Sequence, residues 1–333
     1  MAKGLFGTVR CAVIVMAIAM ALPSVAFAQT WTASHQFPIN DPRDQVLQTL
    51  AREMAAQGLV IRIFPAASLL RPHDQWSGLK NGSVDVVFIP ADYLAERFPH
   101  LSALSLPGMI RDHAHALKIG ASAPMRELRR QIEAEGVTVL ADSWVAGTSG
   151  GRRKCVLSPN DVKGLRARTI GAYMDEVWSA AGAIPVSAAT SDTLPLLMDN
   201  DLVDIANTSV TTLLTLRMRS KFACLTVPGP AGALWYLWEP ILVSKRSLDA
   251  LDEPRRRALL AAGLRAQQGM AAAASQVERR LAGDFLASGV EVVSMDADTL
   301  AIWHKMARRT AWKLFRERIQ GGGDFLERLQ AVE

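Results

Sequence analysis

Beyond residue 28 the chain has no run of about 18 uninterrupted apolar residues, so that part offers no membrane span. No block of Lys and Arg dominates it either. Its 37 Lys and Arg stand against 32 Asp and Glu, for a formal net charge of only +5. A nucleic-acid partner wants a concentrated basic patch, and that class is set aside. A small anion needs only one or two well-placed arginines. No glycine loop followed by Lys-Ser or Lys-Thr is present, which removes the usual phosphate cradle. Histidine is scarce, six in all. The one close pair, His113 and His115, falls in a segment (112–119) read as helical, where residues two apart do not share a face. No metal or cofactor is expected.

What is present begins at the N-terminus. Lys3 and Arg10 precede an apolar run over 11–22, Pro23 and Ser24 break it, and Ala26-Phe27-Ala28 offers a small-residue cleavage site. This is the pattern of a secretory signal peptide over 1–28, and a bilayer span would need about 20 apolar residues. The mature chain is expected to begin near Gln29 and to be periplasmic. Of three cysteines, Cys155 and Cys224 remain there. In an oxidising compartment a pair invites a disulfide. Both lie in short strand-like runs, and two separate buried thiols fit those runs equally well.

Hydrophobic periodicity alternates between strand and helix along the mature chain, which indicates an α/β protein with a parallel-leaning sheet. Residues 31–34 are extended. Val46, Leu47, Leu50 and Met54 give helical spacing over 45–57, stopped by Gly58. Residues 59–64 read as a buried strand, 74–80 as a short helix, and 84–89, 137–141 and 241–243 as strands. A long helix is predicted over 254–288, with Asp252 as its cap and Pro254 in its first turn. It would extend about 50 Å, more than one small domain. A last helix is predicted over 298–320, with Gly321-Gly322-Gly323 as a hinge to a short tail. Leu79-Lys80-Asn81-Gly82-Ser83-Val84-Asp85-Val86 resembles Met198-Asp199-Asn200-Asp201-Leu202-Val203-Asp204-Ile205, a weak internal repeat. The length suggests about two domains.

Two segments invite a chemical reading. Gly147-Thr148-Ser149-Gly150-Gly151 fits Gly-x-Ser-x-Gly. A nucleophile elbow needs a helix directly after the serine, whereas 152–157 reads as extended. The histidine that follows in the chain, His304, lies in the C-terminal helix. The segment is therefore read as a flexible crossing between domains, and a secreted hydrolase using Ser149 is kept as the alternative. In the second segment, residues 165–170 read as a strand in which Arg168 is flanked by uncharged residues. Burying it unpaired would be costly. It pairs either with a protein carboxylate or, bidentately, with the carboxylate of a ligand.

Several segments together resemble the extracytoplasmic solute-binding subunit of TRAP transporters, the DctP family. They are Phe64-Pro65-Ala66-Ala67-Ser68-Leu69, Leu79-Lys80-Asn81-Gly82-Ser83-Val84-Asp85, Leu106-Pro107-Gly108, Gly136-Val137-Thr138-Val139-Leu140-Ala141, Pro159-Asn160-Asp161-Val162-Lys163-Gly164-Leu165-Arg166-Ala167-Arg168 and Leu202-Val203-Asp204. Their order spans nearly the whole mature chain. The resemblance implies a two-lobed periplasmic-binding-protein fold of α/β class, a ligand cleft between the lobes, and a long helix spanning both. The lobes would comprise 29–145 plus 232–272 and 146–231 plus 273–333. The resemblance also implies that Arg168 clamps a ligand carboxylate, supported by Asn207. Many members carry a further Arg about 20 residues before the clamp; Thr148 and Ser149 stand at that place here.

The expected protein is thus not an enzyme. It captures a small organic carboxylate, a monocarboxylate in preference to a dicarboxylate, and delivers it to the small and large membrane subunits of a TRAP permease. Trp144, Trp238, His35, Gln36, Phe88, Pro90 and Tyr93 are the remaining expected pocket residues. A ligand-sensing subunit of a signalling system is a further alternative that fold and pocket do not separate from transport.

Overall fold

A computed structural model describes residues 29–186 and 190–333; the expected signal peptide, 1–28, lies outside the described residues. Among the described residues twelve strands run in chain order as β1 (Gln29–His35), β2 (Leu59–Phe64), β3 (Val86–Phe88), β4 (Val137–Ala141), β5 (Trp144–Gly151), β6 (Arg166–Arg168), β7 (Ile184–Val186), β8 (Ile205–Ser209), β9 (Cys224–Val227), β10 (Tyr236–Trp238), β11 (Ile241–Ser244) and β12 (Glu291–Ser294). They form two sheets. The first has the order β2-β1-β3-β11-β4, and the second β12-β9-β5-β8-β6-β7 with β10 paired to β5.

The two sheets share one plan. In the first, β1 is parallel to β2 and β3, while β11 is antiparallel to β3 and β4. In the second, β6 is parallel to β7 and β8, while β5 is antiparallel to β8 and β9. The sequence repeat sits at the same point of both. Val84 and Val203 are fully buried. Asp85 donates its backbone N–H to Thr32 O and Asp204 donates to Arg166 O, each at 2.8 Å. In return each carboxylate accepts the partner's backbone N–H, from Thr32 at 2.8 Å and from Arg166 at 2.9 Å. A backbone donor at the start of a strand must find an acceptor, and a Val-Asp turn supplies one. Registration then makes Ser34, opposite Val87, the counterpart of Arg168, opposite Ala206.

β5 joins the two halves. Its first three residues pair with β10 and its last five with β8 and β9. The expectation of a flexible crossing over 147–151 is therefore corrected, because every residue of β5 is buried. The glycines answer a packing need. A Cβ on Gly147 would lie 2.2 Å from the Trp235 ring, and one on Gly150 2.6 Å from Phe222. Side chains there would displace core aromatics.

The long helix runs Glu253–Leu286, and the Asp252 side chain accepts from Arg255 N–H at 2.9 Å. One end packs on the helix Pro42–Ala55, and the helix also contacts β9 and β12 of the second sheet. The predicted final helix is broken. Thr310 leaves helical geometry between Ala297–Arg309 and Ala311–Arg318. The expected tail is instead a helix, Gly322–Gln330, which buries Phe325, Leu326 and Leu329. Gly321 turns the chain with φ 71°, a conformation only glycine adopts cheaply.

Cys155 and Cys224 form a disulfide, with Cα atoms 4.9 Å apart and a sequence separation of 69. In the chain-entropy account a loop of that size stabilises by about 4 kcal/mol. Reduction, or the double change Cys155→Ser with Cys224→Ser, should lower the melting temperature by roughly 6 °C. An unchanged melting temperature after verified reduction would contradict that.

Candidate ligand-binding site

Within each sheet the parallel strands end at the same edge, and those edges face a small shared cavity of about 20 Å³. From the first sheet, the turn after β3 brings Pro90, Asp92 and Tyr93. From the second, β6 and β8 bring Arg168, Ile170, Thr208, Ser209 and Thr212, with Ser191 from the connection between them. Leu237 and Glu239 complete the wall beside β10. Openings beyond the carboxyl ends of parallel strands are where open α/β sheets bind ligands.

Arg168 is 2 % exposed, and its Nη1 donates to Asn207 O at 3.1 Å. The Asn207 amide Nδ2 donates to Ser149 Oγ at 3.4 Å. Ser149 is therefore a mid-strand side chain held against Asn207, without the strand-to-helix turn that a nucleophilic serine needs. Tyr93 Oη accepts from Ser191 N–H at 3.1 Å, which ties the turn after β3 to the second sheet.

Beside the cavity lies a buried ion cluster. Arg43 donates to both oxygens of Asp41 at 2.8 Å, and its Nη1 donates to Glu239 at 3.0 and 3.2 Å. Its Cζ stands 3.6 Å from the Phe37 ring centroid, a cation–π contact. Arg43 Nη2 reaches Thr212 Oγ1 at 3.4 Å, and Thr215 Oγ1 donates to Asp41 at 2.8 Å, so the cluster also links to the helix Val210–Thr215. Burial opposes the Arg43 charge, but Asp41 and Glu239 outweigh it and hold the guanidinium above its ordinary pKa. Burial pushes the Glu239 carboxyl up to about 7, with Arg43 pulling the other way.

This raised carboxyl predicts a pH dependence. The folded state keeps the Glu239 proton through the window from the ordinary 4.5 to about 7. Its contribution to stability is therefore greatest at the acid end and is lost as pH rises through that window. The melting-temperature advantage of wild type over Glu239→Gln should shrink between pH 5 and 7.5, followed by calorimetry at each pH. A constant difference would contradict the assignment.

The expected site residues divide into two groups. Arg168, Tyr93 and Pro90 meet at the cavity, and Asn207 touches Arg168 from behind. The others are placed elsewhere. His35 stacks on Phe37 and pairs through Nε2 with Asp44 Oδ1 at 3.1 Å. Gln36 Oε1 accepts from Gln75 Nε2 at 3.0 Å. Phe88 packs edge-on against Phe37. Trp238 donates through Nε1 to Asp142 Oδ1 at 3.0 Å and lies near Trp144, with ring centroids 6.4 Å apart. Asp92 and Glu239 were missed. Glu239 had a signal, as the lone charge in the apolar stretch 229–244; Asp92, beside the chosen Tyr93, had none of its own.

A larger cavity, about 350 Å³, lies under the long helix, against the helix Pro42–Ala55. Trp144 borders it and Arg168 does not. Its wall carries Arg43, Glu53, His113, Arg265 and Glu278 around a mostly apolar surface, whereas the small cavity sets the buried Arg168 among hydroxyl and carboxyl groups at the strand ends of both sheets. Specific recognition of a small polar solute requires that convergence, so the small cavity is the candidate site.

Two sheets of one plan, linked through β5 and a long helix around an interior polar cavity, define a two-lobed binding protein. Residues 30–318 match the family described as bacterial extracellular solute-binding protein, family 7 (DctP), and the chain belongs to it. It is similar to a solute-binding protein of Albidiferax ferrireducens, 30 % identical over 308 residues that cover 90 % of each chain. It is also similar to the 2,3-diketo-L-gulonate-binding periplasmic protein of Escherichia coli K12, 23 % identical and covering 85 % of each. Among solved structures, a TRAP periplasmic solute-binding protein from Rhodoferax ferrireducens with bound malonate superposes with a TM-score of 0.85 at 29 % identity. That match covers 90 % of this chain and 97 % of the other. The family is one of solute receptors, so this protein is a solute-binding protein and not an enzyme. Among the described residues no helix is long and apolar enough to cross a membrane.

Proposed function

We propose that this protein captures a small organic carboxylate where its two sheets meet, with Arg168 as the cation that holds it and the lobes parting to admit a ligand larger than the water-sized cavity between them. The observation that carries this reading is the buried guanidinium at the end of β6, set in a cavity walled from both sheets. Malonate in the Rhodoferax relative supports the ligand class. Among the described lining residues Arg168 is the one basic side chain, and it shares the cavity with two carboxyl groups. That balance favours one carboxylate over two. Asn207 acts by holding Arg168, and Tyr93 by latching the turn after β3 to the second sheet. In this reading the lobes are 29–145 plus 232–272 and 146–231 plus 273–333. The C-terminal helix ties back to the first lobe through Arg328 with Glu127 at 2.6 Å. Residues 1–28 are removed on export to the periplasm, and the loaded protein delivers its acid to the small and large subunits of a TRAP permease.

Thermal shift of residues 29–333 against a panel of mono- and dicarboxylates tests this, because a ligand bound only by the folded state raises the melting temperature. A shift with one class of acid is expected. No shift with any carboxylate, alongside a shift with neutral sugars or amines, would overturn the reading.

A further inference from the structure

Asp92 is the group in the cavity that the carboxylate reading does not use. It sits in the turn after β3, and its Oδ1 is buried with no hydrogen-bond partner among the described residues. The other carboxyl on the wall, Glu239, is already held by Arg43. The Tyr93 oxygen already accepts from Ser191. Around Arg168 two acceptor oxygens lack a donor among the described residues, Asp92 Oδ1 and Asn207 Oδ1, and of the two residues Asp92 is the one that lines the cavity. Burial raises its carboxyl pKa, and the positive charges of Arg168 and His73 pull it back down. With Asp92 ionised beside Arg168, an acid bound there brings a second negative charge towards this oxygen. Such a pair is tolerated when a hydrogen lies between the two groups and is repulsive when none does.

We propose that Asp92 is a specificity residue that selects, among small organic acids, those with an O–H or N–H donor beside the bound carboxylate. Arg168 holds the carboxylate and Asp92 Oδ1 accepts the hydrogen of that neighbouring hydroxyl or amino group. The ligand class is a hydroxy acid or an amino acid. This rests on the carboxylate reading above and adds the second point of recognition. Sites built around a buried acceptor reject the analogue that lacks the donor, because the acceptor is left unpaired.

Matched pairs test this by titration calorimetry on the mature chain: lactate and alanine against propionate, and mandelate and phenylalanine against phenylacetate and 3-phenylpropionate. In at least one pair wild type should prefer the donor-bearing acid by about 100-fold or more. Asp92→Leu, which keeps the branching but has no acceptor, should bring that ratio close to one, while binding of the plain acid holds or improves. The variant removes an unpaired buried acceptor, so its melting temperature should not fall. The hydroxy-acid and amino-acid arms identify which donor is read. Equal binding within every pair, or a preference that survives Asp92→Leu, would overturn the proposal and leave the Arg168 reading standing. If no acid of any pair binds and no carboxylate of the wider panel shifts the melting temperature, the carboxylate reading itself fails and this one falls with it.

Discussion

Arg168→Ala should weaken binding of the cognate organic acid at least about 100-fold, near 3 kcal/mol. Arg168 is fully enclosed at the end of β6, and Asp92 and Glu239 share its cavity. Without the guanidinium, an incoming carboxylate meets two carboxyl groups and no compensating cation on the described wall. Truncating one partner of a buried charged hydrogen bond typically costs 2–5 kcal/mol, because the other charge stays desolvated and unpaired. Arg168→Lys should recover part of the loss, since it restores charge without the planar two-point geometry. Titration calorimetry reads both variants, and circular dichroism confirms that each is folded. Affinity within about tenfold of wild type (1.4 kcal/mol) in Arg168→Ala would remove this residue from the site.

Arg43→Met should be the most destabilising single change near the cavity, by about 3–5 kcal/mol. Arg43 is 3 % exposed and neutralises Asp41 and Glu239, which are themselves 0 % and 1 % exposed. Methionine fills similar volume but leaves two buried carboxyls facing each other. It also removes the stacking on Phe37 and the hydrogen bond to Thr212. Urea unfolding at pH 8 should show the full loss, about 5–8 °C if followed thermally. The loss should shrink at pH 5, where Glu239 takes up its proton and one charge of the unbalanced pair disappears. A loss below about 1 kcal/mol at pH 8 would mean that solvent reaches the cluster and screens it.

The cluster also bears on closure. Arg43 and Asp41 stand at the start of the helix Pro42–Ala55, while Thr212 and Thr215 belong to the helix that follows β8. Together with Tyr93 and Ser191 they connect the first sheet to the second directly at the cavity. In a hinge-closing protein, contacts of this kind form only when the lobes meet, and their free energy adds to that of the ligand.

What was legible in the sequence was local. The long helix announced itself through Asp252, Pro254 and its unbroken span, because a cap and a first-turn proline act within a few residues. The Val-Asp repeat marked the same αβ turn in both sheets, because the backbone donor it satisfies lies at the start of an adjacent strand. Arg168 stood out as a charge between Ala167 and Thr169, two uncharged residues that are both buried. The resemblance to the DctP family carried the fold, and the matches to known proteins agree with it.

The remainder was decided by contacts between distant parts of the chain. Gly147, Gly150 and Gly151 read as a crossing or as a nucleophile motif, yet two of them are small because Trp235 and Phe222 arrive against β5. The helix Gly322–Gln330 was hidden behind three glycines, and its reason to form is the core that Phe325, Leu326 and Leu329 enter. His35, Trp144 and Trp238 have residue types suited to a pocket, but Asp44 and Asp142 hold His35 and Trp238, and Trp144 packs beside Trp238. Arg43 and Glu239 are 196 residues apart, and nothing in either neighbourhood names the other. The sequence alone determined that the chain is an α/β protein with one conspicuous arginine. Only the tertiary structure decided which carboxyls face that arginine, because a buried charge is matched through space and its partner is under no constraint to be near in the chain.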